Sequence, residues 1–263
     1  MARVPQFAVV LLFLGVALAM SYSAWAQDDV LHHEQNVWGR FQPGAWKEVR
    51  VVTQEFEPDG RLVRTATSLS RMVLLSVEED HVTLEVEATV EMGGKQLAGP
   101  RQTVKEDFYG EAFSETDHRV VNMLAAEKAT IENEEYPCRV RQVETSDGNF
   151  RTTSTIYYST ERTPYVLSVQ RKTFDIATKA EINATTAKVI ALNWPFRVLD
   201  QVRTVATIEK ITQSEKQTRR SLIFTCHDIP GGKVAEMTKE LDPDGRIVRR
   251  SLLEVVDYGV DGG

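Results

Sequence analysis

The chain is poor in the residues from which chemistry is usually read. Of its 263 residues, two are cysteine and five are histidine. The histidines are His32, His33, His81, His118 and His227, and none has metal-ligand spacing. In "HHE" (His32 to Glu34), neighbouring side chains on an extended chain point opposite ways. In "CHD" (Cys226 to Asp228), a thiol, an imidazole and a carboxylate are consecutive, whereas a catalytic triad gathers its members from distant segments. "PGGK" (Pro230 to Lys233) lacks the spacing of a phosphate-cradling loop, and neither a Gly-x-Ser-x-Gly elbow nor a His-Glu-x-x-His helix occurs. Acidic runs such as "EED" and "ENEE" read as solvated turns. The expectation is therefore no catalytic residue, no metal ligand, no cofactor and no enzyme. A basic excess is missing too: 31 Lys and Arg stand against 38 Asp and Glu, a net charge of −7. This excludes an electrostatic nucleic-acid surface, which needs a cationic stripe.

Only one long apolar run is present, and it stands at the start. Arg3 precedes "FAVVLLFLGVALAM" (Phe7 to Met20), an uncharged stretch of 14 residues, shorter than the roughly 20 that a spanning helix needs. Ala24 and Ala26 in "SAWAQ" then occupy the small-residue positions of a signal-peptidase site. Residues 1–26 read as a signal peptide cleaved before Gln27, the alternative being an uncleaved N-terminal anchor. The protein is expected to be exported to a periplasmic or extracellular location, with no transmembrane anchor after cleavage. Removing the leader takes away Arg3 alone, so the net charge goes from −7 to −8.

The rest is strand-like. In "HVTLEVEATVEM" (His81 to Met92) the even positions from Val82 to Met92 are apolar and the odd ones are Thr or Glu, the period of a strand with one wet face. Leu84, Val86 and Val90 are expected to be buried, and Glu85 and Glu87 exposed. Weaker copies of the pattern, rich in Val, Ile, Thr, Tyr and Phe, recur between Asp-Gly, Gly-Gly, Thr-Pro and Pro-Gly turns. The fold class is mainly β, a curved antiparallel sheet or incomplete barrel of at least eight strands with little helix. Residues 27–263 are expected to form a single domain. "SETDHRVVNMLAAEK" (Ser114 to Lys128) suits a short helix or a strand, and strand or irregular structure is slightly favoured.

One stretch is written twice. "EPDGRLVR" (Glu57 to Arg64) returns as "DPDGRIVR" (Asp242 to Arg249), and over Val49 to Arg64 nine of sixteen positions are identical to Val234 to Arg249. Pro-Asp-Gly presets a hairpin whose glycine takes a positive φ. Two pseudo-repeated hairpin units, around residues 46–78 and 231–257, follow, by duplication or by convergence.

Cys138 follows "EYP" at the start of a strand, and Cys226 ends the run "SLIFT". Start and end positions become neighbours when antiparallel strands pair, so a Cys138–Cys226 disulfide is a candidate; it would close a loop of about 90 residues and contribute ~4–5 kcal/mol. The alternative is two separately buried thiols.

The segment "IENEEYPCRVRQVETSDGNFRTTSTIYYSTERTPYVLSVQRKT" (Ile131 to Thr173) carries a resemblance. A strand through Tyr136, Cys138 and Val140 leads through a hairpin to "TIYYS" (Thr155 to Ser159), and a Pro-containing turn opens the next strand. This is similar to the periplasmic lipoprotein-carrier and outer-membrane lipoprotein-sorting superfamily. The ending from Cys226 to Gly259 resembles uncharacterised secreted proteins of planctomycete-type bacteria. The carrier resemblance implies a curved, incompletely closed antiparallel sheet covered by a helical plug, which only the Thr116–Lys128 region could supply. It implies an exported, non-enzymatic envelope module sheltering an apolar ligand, a lipid or a hydrophobic protein segment. The alternative is a structural or interaction module without a small-molecule pocket. No ligand-binding residue is assigned by sequence.

Overall fold

The computed structural model describes residues 30–113 and 118–260. The leader and its cleavage residues Ala24 and Ala26 lie outside the described residues. From Leu31 onward the described residues form one compact unit. Its only helical turn among the described residues is a short 3-10 turn at His33–Gln35.

The first strands are β1 (Trp46–Phe56), β2 (Leu62–Val77), β3 (His81–Met92), β4 (Lys95–Ala98), β5 (Gln102–Asp107) and β6 (Ala112–Phe113). After residues 114–117 come β7 (His118–Ile131), β8 (Glu134–Ser146), β9 (Phe150–Tyr158), β10 (Val166–Asp175) and β11 (Glu181–Val198). The chain ends through β12 (Gln201–Gln213), β13 (Thr218–Thr225), β14 (Lys233–Leu241) and β15 (Ile247–Gly259). All fifteen belong to one antiparallel sheet, ordered β6-β5-β3-β2-β1-β15-β14-β13-β12-β11-β10-β9-β8-β7, with β4 on the outer end of β3. The ambiguous Ser114–Lys128 stretch is strand wherever it is described, because β8 pairs with it over nearly its whole length. A helical plug from that region is thereby ruled out.

Connectivity forces the sheet to curl. The path begins in the middle at β1, walks out to the β6 edge, then starts again at the opposite edge, β7, and returns to β15 beside β1. Laid flat, fourteen strands at ~4.8 Å spacing would part the two edges by about 60 Å. Phe113 and His118 are five residues apart, a reach of at most about 18 Å. The edges must therefore approach, and the packing shows that they do. Leu74, Val82 and Leu84 from β2 and β3 share one core cluster with Val143, Ile156 and Tyr158 from β8 and β9. Leu31, Trp38, Phe108 and Tyr109 fill the space between them. Among the described residues β6 and β7 share no backbone ladder, so the barrel stays open along this seam.

The repeated octets turn out to be neighbours. The β1–β2 and β14–β15 hairpins lie side by side because β1 pairs with β15. Each has its register shift at the same place, after Glu55 and after Glu240. Each closes with the same bonds: Gly60 N–H donates to Glu57 O at 2.8 Å and Gly245 N–H to Asp242 O at 3.0 Å, with φ of 86° and 81°. The repeat also writes an alternating charge rung across five strands. Arg219 faces Glu240 (3.8 Å), Glu240 faces Arg249 (3.2 Å), Arg249 faces Glu55 (3.3 Å) and Glu55 faces Arg64 (2.6 Å). Opposite charges directly across a ladder stabilise it by roughly 0.2–1 kcal/mol each. Repetition lets two hairpins dock as adjacent copies of one charge pattern.

The face prediction for β3 holds at one end only. Leu84 is buried, Val86 is half-buried, and Val90 is exposed. The outer end of β3 pairs with β2 and with the short β4, and Val90 there is left 38% exposed, so the apolar period finds no cover at that end. Glu85 and Glu87 are partly covered by Arg101, which pairs with them at 3.3 and 2.6 Å. Val86→Ala is expected to cost about 1 kcal/mol and Val90→Ala under ~0.5 kcal/mol in urea unfolding, following their burial rather than their period.

Candidate functional site: an apolar cavity under the curled sheet

The concave face holds a cavity of about 270 Å³ that is partly open to solvent. Its floor is Val169, Ala187, Val189, Ala206 and Ile208, small and branched residues from β10, β11 and β12. Phe108 and Tyr109, from the turn between β5 and β6, form one wall, and Val37 and Asn36 from the N-terminal segment form another. The 163–166 loop and the end of β13, with Thr225, Cys226 and His227, complete it.

Several polar groups of the lining are bonded within the protein. Asn36 Oδ1 accepts from the N–H groups of Trp38 and Gly39 at 2.8 and 2.9 Å. Ser168 Oγ donates to Ala187 O at 3.0 Å, and Thr225 Oγ1 to Ala206 O at 3.4 Å. The His227 ring meets Tyr165 edge-on, with centroids 5.5 Å apart. Thr163, Asn193 and Thr204 add polar groups to the lining, and the rest of the wall is mainly carbon.

A buried ionic clasp holds the Phe108–Tyr109 wall in place. Asp107 is 3% exposed; its Oδ1 accepts from Tyr109 N–H (3.0 Å) and Glu111 N–H (2.9 Å), fixing the turn. Its Oδ2 pairs with Arg119 on β7 and lies 3.7 Å from Arg141 on β8. The Arg141 guanidinium also stacks 4.1 Å from the Tyr109 ring centroid. Glu111 pairs with Arg171 on β10 and accepts from Ser154 Oγ on β9 at 3.2 Å. The seam that lacks a backbone ladder is thus spanned by side-chain charges. Nothing local in the sequence marks these residues as partners. The one available signal was "DFYG" (Asp107 to Gly110), a tight turn with two large aromatic residues where solvated turns carry polar ones.

Next to the clasp, Lys47 is buried. Its ammonium lies 5.4 Å over the Trp38 ring and donates to Lys233 O at 3.3 Å. Burial, aided by the Lys233 cation, pulls its pKa down to about 7. Burial and the Asp107 charge push the Glu106 carboxyl up to about 7, against the attraction of Lys47.

The cysteines are free and buried, which corrects the expected disulfide. Cys138 on β8 packs with Ile131, Leu167, Val189 and Ala206, whereas Cys226 packs with Val198, Phe224, Ile229 and Val234. A bridge needed β8 and β13 to be neighbours, but four strands stand between them. Burial pushes both thiols up in pKa, the opposite of an activated nucleophile. The "CHD" triplet also diverges, since Asp228 is exposed and lies 3.8 Å from Arg203, away from the His227–Tyr165 contact. Among the described residues no three potential metal-ligating side chains come together.

No family model and no curated protein matches the chain. A solved structure from Bacteroides fragilis, described as a "putative exported protein with YmcC-like fold", aligns over 83% of this chain and 97% of its own, at 9% identity and a TM-score of 0.35.

Proposed function

We propose that the protein is an exported, non-enzymatic β-module that shelters a small apolar ligand, a lipid chain or a hydrophobic segment, in the cavity beneath its curled sheet. The observation that carries this reading is a space of about 270 Å³ walled mainly by Val, Ala, Ile, Phe and Tyr, with the polar groups of Asn36, Ser168 and Thr225 bonded within the protein. An apolar occupant would take the carbon wall of this partly open space out of water, which is favourable. The open barrel with an apolar interior also agrees with the lipoprotein-carrier resemblance of the Ile131–Thr173 segment, with the N-terminal segment and the Asp107–Glu111 turn covering the sheet in place of a helical plug.

The test is to fill the space. Ala187 lies on the floor, so Ala187→Phe should occupy it. Titration with the neutral fluorescent probe N-phenyl-1-naphthylamine should show saturable binding to the wild type and at least a tenfold weaker response in Ala187→Phe. Thermal stability should be unchanged or raised in the variant. Equal probe binding by both proteins would refute the cavity as the site.

A further inference from the structure

A second feature lies on the opposite face of the sheet, around the strands that carry the charge rung. Arg220, Lys239 and Arg250 stand directly opposite one another on β13, β14 and β15. All three are exposed, and none has an ion-pair partner among the described residues. Like charges set directly opposite destabilise a sheet. On the other face, one residue along each strand, the same strands alternate charge as Arg219, Glu240 and Arg249. The chain therefore balances one face with carboxylates, whereas on the other the Arg250 guanidinium lies 5.2 Å from the Phe56 ring and no carboxylate pairs with the row.

Two residues further along the strands comes an apolar rung: Leu222, Met237, Leu252 and Val52, again mutually opposed. Met237 is 48% and Leu252 39% exposed. The two rungs line a trough of about 720 Å³ that runs across the strands, with Gln54 beside Arg250 and Glu209, its sole carboxylate, beside Leu222. From Arg220 to Arg250 the basic rung covers two strand spacings, about 10 Å.

We infer that this trough docks an amphipathic helix of a partner protein, laid across the strands, with an acidic stripe on Arg220, Lys239 and Arg250 and an apolar stripe on Leu222, Met237 and Leu252. The spacing selects the occupant. Helix positions i, i+4 and i+7 rise about 10.5 Å in total, with neighbours 5–6 Å apart, in step with strands about 4.8 Å apart. An extended peptide lying along the same line repeats its side chains every ~6.8 Å and falls out of register. A single lipid headgroup brings one compact charge to a row of three, and a flat bilayer does not enter a trough. The mode is helix-in-groove recognition, with the groove built on a sheet.

The probe is a synthetic helical peptide of about 18 residues with Glu at i, i+4 and i+7 beside a Leu stripe, compared with a scrambled isomer of identical composition. Fluorescence anisotropy with the purified protein should show the helical peptide binding at least tenfold more tightly than the isomer. Raising salt from about 0.05 to 0.3 M should weaken it severalfold. Arg220→Glu, Lys239→Glu and Arg250→Glu together should weaken it at least tenfold, with an unchanged melting temperature since all three are exposed. Met237→Ser with Leu252→Ser should weaken it without altering the salt dependence. Equal binding of both isomers, or no effect of the charge reversal, would overturn the inference. So would binding to phosphatidylglycerol vesicles with no binding to the peptide. None of these outcomes depends on the cavity on the concave face.

Discussion

Asp107→Ala should lower stability by about 3–5 kcal/mol, the expected cost of removing one partner from a buried charge cluster. The residue does two jobs at once. Its Oδ2 faces the Arg119 and Arg141 cations across the open seam, and its Oδ1 fixes the turn that carries Phe108 and Tyr109. Asp107→Asn keeps a carbonyl oxygen for the turn and loses only the charge. Its penalty should be smaller by the roughly 1–2 kcal/mol that two hydrogen bonds of this kind contribute. For a domain of this size the alanine variant should melt about 6–20 °C lower. Because the cluster is buried, the difference should change little with salt. An alanine variant within ~1 kcal/mol of wild type would mean that the seam is held by apolar packing alone.

The second large effect concerns Lys47, and its sign is opposite. A lysine whose folded pKa is pulled to about 7 is uncharged in the folded state above that pH, whereas the unfolded chain keeps its proton until about 10.5. The unfolded state therefore binds more protons between pH 7 and 10.5, and stability rises with pH across that window. Lys210, also lowered mainly by burial, adds to the same limb. Glu106 behaves in reverse: with a folded pKa of about 7 against 4.5 unfolded, the native state holds the extra proton, and stability falls as pH rises from 4.5 to 7. The two limbs leave a minimum near neutrality. Lys47→Met should raise stability at pH 7 by about 1–3 kcal/mol, as replacement of a buried charge by a packed apolar side chain often does. It should also flatten much of the alkaline limb, while Glu106→Gln removes the acidic one. Urea unfolding from pH 5 to 10 reads both. A destabilised Lys47→Met protein with an unchanged pH profile would contradict the buried, neutralised lysine.

How far the sequence was legible depends on how local each feature is. Strand period was readable in His81–Met92, and the Pro-Asp-Gly turns located two hairpins with the right glycine conformations. Leu84 followed its period inward because Leu74 of β2 and Val143 of β8 share its core cluster, whereas Val90, on the same face beside the short β4, is left exposed. The period says which side a residue takes and not whether anything packs there. The cysteines failed for the same reason: strand ends can be placed from sequence, but the order of strands in a sheet cannot, and four strands separate β8 from β13. The cavity is assembled from residues as distant as Asn36, Tyr109, Ala187 and Cys226, so no window of sequence contains its signature. The clasp pairs residues up to 60 positions apart, and only the aromatic content of the 107–110 turn betrayed it.

The proposal that the interior shelters an apolar ligand meets its most direct test in native mass spectrometry of the protein purified from the expressing cells, in parallel with Ala187→Phe. The wild type should carry a population of higher mass that organic extraction removes and that analysis identifies as an apolar molecule, and the filled variant should fly as bare protein. Bare wild-type protein, or the same adduct on both forms, would contradict it.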